Sequence, residues 1–162
     1  MDARLAADDP DWLSDYLGWL ASQRRAAPLT LENYRRDLLA LQRLAGATAV
    51  DALAAHDIRR FVARLHGEGL GGRSIARRLS AWRGLFAWLV RHRGMALNPA
   101  LGIRPPRSPR RLPKALSPDQ TQGLLDGGDG EGVLHLRDRA MFELLYSSGL
   151  RLSELAGLQL SD

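Results

Sequence analysis

A mainly α-helical chain is predicted, and three observations carry that prediction. Apolar residues recur at steps of three and four along most of the sequence, the spacing that gathers them on one face of a helix. Short breakers built from Pro, Gly, Ser and Asn separate these runs. A hydrophobic content of 45% over 162 residues is enough for a packed core.

The elements follow in order. Asp9-Pro10 reads as a cap with proline at the first helical position, opening a helix that buries Trp12, Leu13, Tyr16, Leu17 and Leu20. Thr30 is the predicted cap of a second helix, with Leu29 and Tyr34 at the two positions of a hydrophobic staple. Leu31, Tyr34, Leu38, Leu41 and Ala45 share its inner face, and Arg36 and Arg43 project away. A third helix, about 56–66, buries Ile58, Phe61, Val62 and Leu65, and Gly67, Gly69, Gly71 and Gly72 then form a loop.

The fourth helix, from Arg73 to about His92, carries the clearest pattern. Ile75, Leu79, Trp82, Phe86 and Leu89 make one continuous apolar stripe. At 100° per residue, Arg73, Arg77, Ser80, Gly84 and Arg91 fall opposite that stripe, with Arg78 and Arg83 on its flanks. Such a helix packs on one side and shows a basic, sterically open face on the other, a shape that suits a DNA major groove.

Asn98-Pro99 closes the helical region. Residues 103–118 hold five prolines together with Arg104, Arg107, Arg110, Arg111 and Lys114, so an extended basic linker is expected there. A protein clamping around a duplex needs such a connection between two lobes. Ser117-Pro118 caps a short helix carrying Leu124 and Leu125, 127–132 is a flexible turn, and a further helix covers Leu136 to Tyr146. Gly149 is suited to the left-handed conformation that ends a helix. A last helical segment restarts around Arg151–Glu154. That places Arg151 near a helix start, with Glu154 three residues on, positioned to pair with it and fix its fork.

Charge is unevenly distributed. The net is +5, yet 24–111 hold eighteen arginines, no lysine and only five carboxylates, while the segments on either side are acidic. A block this basic points to a polyanion, and the planar guanidinium suits phosphate and guanine edges better than lysine does. The absence of cysteine excludes disulfides and thiolate zinc sites, and the four scattered histidines lack metal-site spacing. No metal or other cofactor is therefore expected. The acidic start lacks a secretory h-region and no apolar run reaches membrane-spanning length, so a cytoplasmic protein without membrane partners is expected.

The wording of LRDRAMFELLYSSGLRLSEL, ending at Leu155, resembles the first catalytic box of the tyrosine recombinase (phage integrase) family. LTLENYRRDLLAL at 29–41, GGRSIARRLSAWRGLFAWLVRHRGMALNPALGI at 71–103 and RRLPKALSPDQTQGLLD at 110–126 extend the resemblance over nearly the whole chain. It implies an N-terminal helical DNA-binding domain of the core-binding, SAM-like type over 1–104 and a basic Pro-rich linker over 105–116. The opening helices of an incomplete catalytic domain would follow over 117–162. It also implies Arg151 as the first catalytic arginine on the scissile phosphate, with Glu154 as its orienter. The DNA contacts expected are Arg35, Arg36 and Arg43 on the second helix, Arg73, Arg77, Arg78, Arg83 and Arg91 on the fourth, and Arg107, Arg110, Arg111 and Lys114 in the linker.

The wording lies nearest the chromosomal branch of the family. Its members would cut and rejoin strands through a 3′-phosphotyrosyl intermediate and resolve chromosome dimers at cell division. The partners implied are double-stranded DNA, a XerD-like recombinase in a heterotetramer on that DNA, and an FtsK-type translocase. A phage or integron integrase, and a DNA-binding fragment without catalysis, stay open. The family's later catalytic residues have no match here: Tyr16 and Tyr34 occupy core positions and Tyr146 fits the box as a packing residue. The 162-residue chain by itself is expected to be inactive.

Overall fold

A computed structural model of the chain describes residues 9–108, 115–126 and 132–159. Among them every regular element is helical. The chain divides into two compact units, Met1–Arg110 and Arg111–Asp162.

The first unit holds α1 (Asp11–Gln23), α2 (Pro28–Ala45), a 3-10 turn at Val50–Ala52, α3 (Ala55–Gly67) and α4 (Gly72–His92). α2 packs on α1 and on α4, and α3 packs on α4, so α2 and α4 together form the middle of the unit. All five residues of its predicted stripe are buried. Ala81, Leu85 and Trp88 are buried as well, which widens the stripe because neighbours cover α4 from two sides. Leu13, Tyr16 and Leu20 of α1, Leu38 and Leu41 of α2, and Ile58, Phe61 and Leu65 of α3 complete the core. Burying one such side chain contributes about 1.5–3 kcal/mol, so this cluster, and no single cap, holds the unit together.

Two expected helix starts need correction. α2 begins at Pro28, two residues before Thr30, with Ala27 as the residue before the helix. Proline at the first position supplies a pre-set φ and lacks only an N–H that would have been unpaired anyway. Leu29 is 68% exposed there. α1 begins at Asp11 with Pro10 preceding it, and no side chain caps it. The carboxylate of Asp9 turns instead to Arg35, accepting from Nε at 2.7 Å and from the terminal nitrogen at 2.6 Å.

Beyond α4 the chain folds back on its own unit. Asn98 donates to the Arg83 carbonyl at 3.0 Å and accepts from the Ala100 N–H at 3.0 Å. Ala100 and Ile103 are buried. At Gly72 the return is so close that a Cβ would run into the Pro106 carbonyl and the Ser108 hydroxyl. Pro106 and Ser108, in the stretch expected as linker, thus lie against the first turn of α4.

The second unit contains α5 (Pro118–Asp126), α6 (Val133–Ser148) and α7 (Leu152–Ala156). Ser117 and Gln120 cap α5 reciprocally: the Gln120 N–H donates to Ser117 Oγ at 3.2 Å and the Ser117 N–H to Gln120 Oε1 at 3.0 Å. Gly149 adopts φ +64 and closes α6 through its N–H to the Leu145 carbonyl. None of the described side chains in this unit is buried, and Leu136, Leu144, Leu152 and Leu158 are all exposed.

Candidate nucleic-acid interface

The outward face of α4 is open at its N-terminal end, where Arg73, Arg77 and Ser80 are exposed. It is not open at Gly84, and that expectation is corrected. A Cβ there would meet the Tyr16 hydroxyl at 2.5 Å and Tyr34 Cε1 at 3.8 Å, so the two tyrosines cover mid-helix. Past them, Ala87 and Arg91 border a cleft of about 430 Å³ whose walls include Tyr16, Trp19, Tyr34 and Trp88. Burial raises the Tyr16 hydroxyl well above the usual tyrosine range, which marks it as a packing group.

The arginines of α2 and α4 sort by their partners. Arg36 and Arg43 are exposed on α2, and Arg36 donates to the Asn33 side-chain oxygen at 3.5 Å. Arg35 is forked onto Asp9 and half-buried. On α4, Arg73 and Arg91 are exposed. Arg83 points back into its own unit, donating to the Ala100 carbonyl at 3.2 Å and to the Ile103 carbonyl. Arg77 reaches Asp37 of α2 at 2.5 Å while keeping 47% of its side chain exposed. Arg78 lies beside the same carboxylate, 3.8 Å away, and is only 22% exposed. Arg107 is exposed on the returning segment. Arg110, Arg111 and Lys114 lie outside the described residues.

Asp37 is the residue that sequence reasoning missed. It is 2% exposed. Burial pushes its carboxyl above the ordinary aspartate value, against the pull of Arg77, Arg78 and Arg36 in the other direction. A signal was present: Tyr34, Asp37, Leu38 and Leu41 stand at i, i+3, i+4 and i+7, so an acid occupies a position of the apolar stripe.

In the second unit, Arg151 and Glu154 come together as expected. The Arg151 N–H donates to Glu154 Oε2 at 2.8 Å, and its guanidinium donates to Oε1 at 2.9 Å. These two bonds, the backbone one first, hold the Glu154 carboxyl below its ordinary range. The Arg151 side chain is 82% exposed. Its guanidinium is thus held through one terminal nitrogen and otherwise open, an arrangement that can receive a phosphate. Tyr146, expected to pack, is instead exposed on α6, because none of the described residues of this unit covers it.

The described geometry therefore offers four exposed arginines on α2 and α4, one buttressed arginine beside them, and a separate oriented guanidinium. Comparison with known proteins gives this a family context. The family described as "Phage integrase, N-terminal SAM-like domain" matches residues 13–93. The chain is 48% identical over 153 residues to tyrosine recombinase XerC of Ralstonia pickettii, covering 91% of this chain and 47% of that protein. It is 51% identical over 150 residues to tyrosine recombinase XerC 1 of Ralstonia nicotianae, covering 90% and 46%. Against tyrosine recombinase XerC of Pseudomonas aeruginosa strain LESB58 the identity is 48% over 151 residues, covering 91% and 50%. The chain spans about half the length of the curated relatives it matches.

Proposed function

The chain belongs to the phage integrase (tyrosine recombinase) family, and on that premise we propose that it is the DNA-recognising portion of a XerC-like site-specific recombinase. Its first unit binds duplex DNA through α2 and α4, and its second unit supplies the first catalytic arginine. The observation that carries the reading is the set of exposed arginines without carboxylate partners among the described residues, Arg36, Arg43, Arg73 and Arg91, on two helices that pack against each other. Domain limits of 1–104, 105–116 and 117–162 belong to the same proposal. The leucines of α6 and α7 support it, since they present apolar faces that the described residues of this unit leave uncovered.

The intact recombinase acts in the cytoplasm on a short chromosomal site. It pairs there with a XerD-like partner, exchanges strands through a 3′-phosphotyrosyl intermediate, and resolves chromosome dimers under an FtsK-type translocase. Arg151 neutralises charge on the scissile phosphate as it becomes five-coordinate, with Glu154 holding its fork. Residues 1–162 offer no candidate nucleophile. Tyr16 is buried, Tyr34 packs against the core, and the exposed Tyr146 has no described base bonded to it.

A chimera in which this chain replaces the matching part of Pseudomonas aeruginosa XerC tests the catalytic assignment. Arg151→Ala in that chimera should lower strand cleavage by about 10²–10³, the cost of removing one oxyanion donor. It should leave DNA affinity within about tenfold, because the interaction develops in the transition state. Equal losses of binding and cleavage would place Arg151 among the binding residues instead.

A further inference from the structure

A leucine at position 37 would complete the apolar stripe of α2, yet the chain buries a carboxylate there at a desolvation cost. What faces that carboxylate explains the choice. Asp37 Oδ2 accepts from Arg77 Nη1 at 2.5 Å. Oδ1 lies 3.8 Å from Arg78 Nε, and both of those buried atoms lack a hydrogen-bond partner among the described residues. The backbone is pinned too, since the Trp82 indole donates to the Asp37 carbonyl at 3.0 Å. Asp37 is thus fixed from α4 and in turn holds Arg77 of α4, with Arg78 alongside. Arg77 uses one of its five N–H donors on this contact, and nearly half of its side chain remains exposed.

We infer that Asp37 is a positioning residue that makes Arg77 a reader of base sequence rather than a phosphate clamp, an inference that rests on the proposed DNA-binding face. Two physical consequences of the pairing lead there. The Asp37–Arg77 pair is close to neutral as a unit, so it adds little to the sequence-independent attraction that phosphates supply. At the same time the carboxylate removes the freedom of a long side chain, so the free edge of the guanidinium is presented in one orientation. A fixed fork is what bidentate recognition of a guanine edge requires. Arg36, Arg43, Arg73 and Arg91, exposed and without such a buttress, are left for phosphates. The arginines of α2 and α4 therefore divide their labour: those without a buttress hold the backbone, and the paired one discriminates.

The test uses the 162-residue chain and a pool of duplexes with a randomised core, from which bound sequences are selected and read. Affinity is then measured for the selected duplex and for a scrambled duplex across a salt series. Asp37→Asn keeps the shape and removes the charge. It should reduce the preference for the selected duplex by between about fivefold and a hundredfold, the range for one base-reading arginine. It should also steepen the salt slope on the scrambled duplex by about 0.9, because Arg77 is released to a phosphate. A merely structural aspartate would change neither in that way: its loss would lower the melting temperature and weaken both duplexes together. Arg77→Lys decides the matter if Asp37→Asn does not fold, since lysine keeps the charge and loses the fork, and should lose selectivity at unchanged slope. Full selectivity in either variant overturns the role of Asp37, whereas failure of the unaltered chain to bind any duplex overturns the DNA-binding reading beneath it.

Discussion

Replacing Arg73 by alanine should flatten the salt dependence of DNA binding by about 0.9 in the slope of log affinity against log salt, whereas replacing Arg83 should leave that slope unchanged. α2 and α4 carry eight arginines: Arg35, Arg36, Arg43, Arg73, Arg77, Arg78, Arg83 and Arg91. If each neutralised one phosphate, the two helices would contribute a slope near −7. Four are otherwise engaged. Arg35 is paired with Asp9, Arg77 with Asp37, Arg78 is tucked against the same carboxylate, and Arg83 donates to the Ala100 and Ile103 carbonyls. The remaining four contribute about −3 to −4. Fluorescence anisotropy of a labelled duplex, titrated at several potassium chloride concentrations, reads the slope directly. Alanine at Arg36, Arg43, Arg73 or Arg91 should each reduce it by the same increment, and alanine at Arg35 or Arg83 should not. Taking differences between variants removes the contribution of arginines elsewhere, Arg104 and Arg107 among them. Equal decrements at all six positions would refute the partition, because internal partners would then have made no difference.

Three further outcomes follow from the packing and the site. Leu79→Ala, at a fully buried position of α4, should cost about 2–5 kcal/mol of stability by urea denaturation; a loss below about 1 kcal/mol would contradict the burial of this stripe. Gly72→Ala sets a helix-propensity gain of about 1 kcal/mol against a clash with the Pro106 carbonyl and Ser108. The clash should prevail by roughly 1–3 kcal/mol and speed amide exchange over 100–108, whereas net stabilisation would deny the close approach. Glu154, held low by Arg151, should remain ionised below the ordinary glutamate value. The clamp it makes is present above that value and is lost as pH falls through the lowered one. Arg151→Ala should move the carboxyl titration, followed by carbon NMR, upward but not fully back, since the backbone bond comes first among its causes. A titration unmoved by Arg151→Ala would deny the side-chain contact.

Much of this was legible in the sequence where one physical rule dominates. The 4, 3, 4, 3 spacing of Ile75, Leu79, Trp82, Phe86 and Leu89 admits a single buried face, and all five are buried. The Arg151–Glu154 contact was legible because it spans three residues of one turn. Long-range contacts were not. Asp9 has the composition of a helix cap, yet its partner Arg35 lies 26 residues away. Arg83 sits on a flank in any helical projection, but its acceptors lie on a segment that returns from 17 and 20 residues further on. Gly84 looked open in projection for the same reason: a single helix does not reveal that Tyr16 and Tyr34 come across it. Helix starts were misplaced where two local signals competed, with Pro28 prevailing over Thr30.

The most direct test of the central claim observes the arginine side chains themselves. Nitrogen-15 spectra of the guanidinium Nε–H groups, recorded while duplex DNA is added, should show shifts and slowed exchange at Arg36, Arg43, Arg73, Arg77 and Arg91. Arg35 and Arg83 should stay where they are, held by Asp9 and by the Ala100 and Ile103 carbonyls. Perturbation confined to the arginines of α3, Arg59, Arg60 and Arg64, with α2 and α4 silent, would contradict the account.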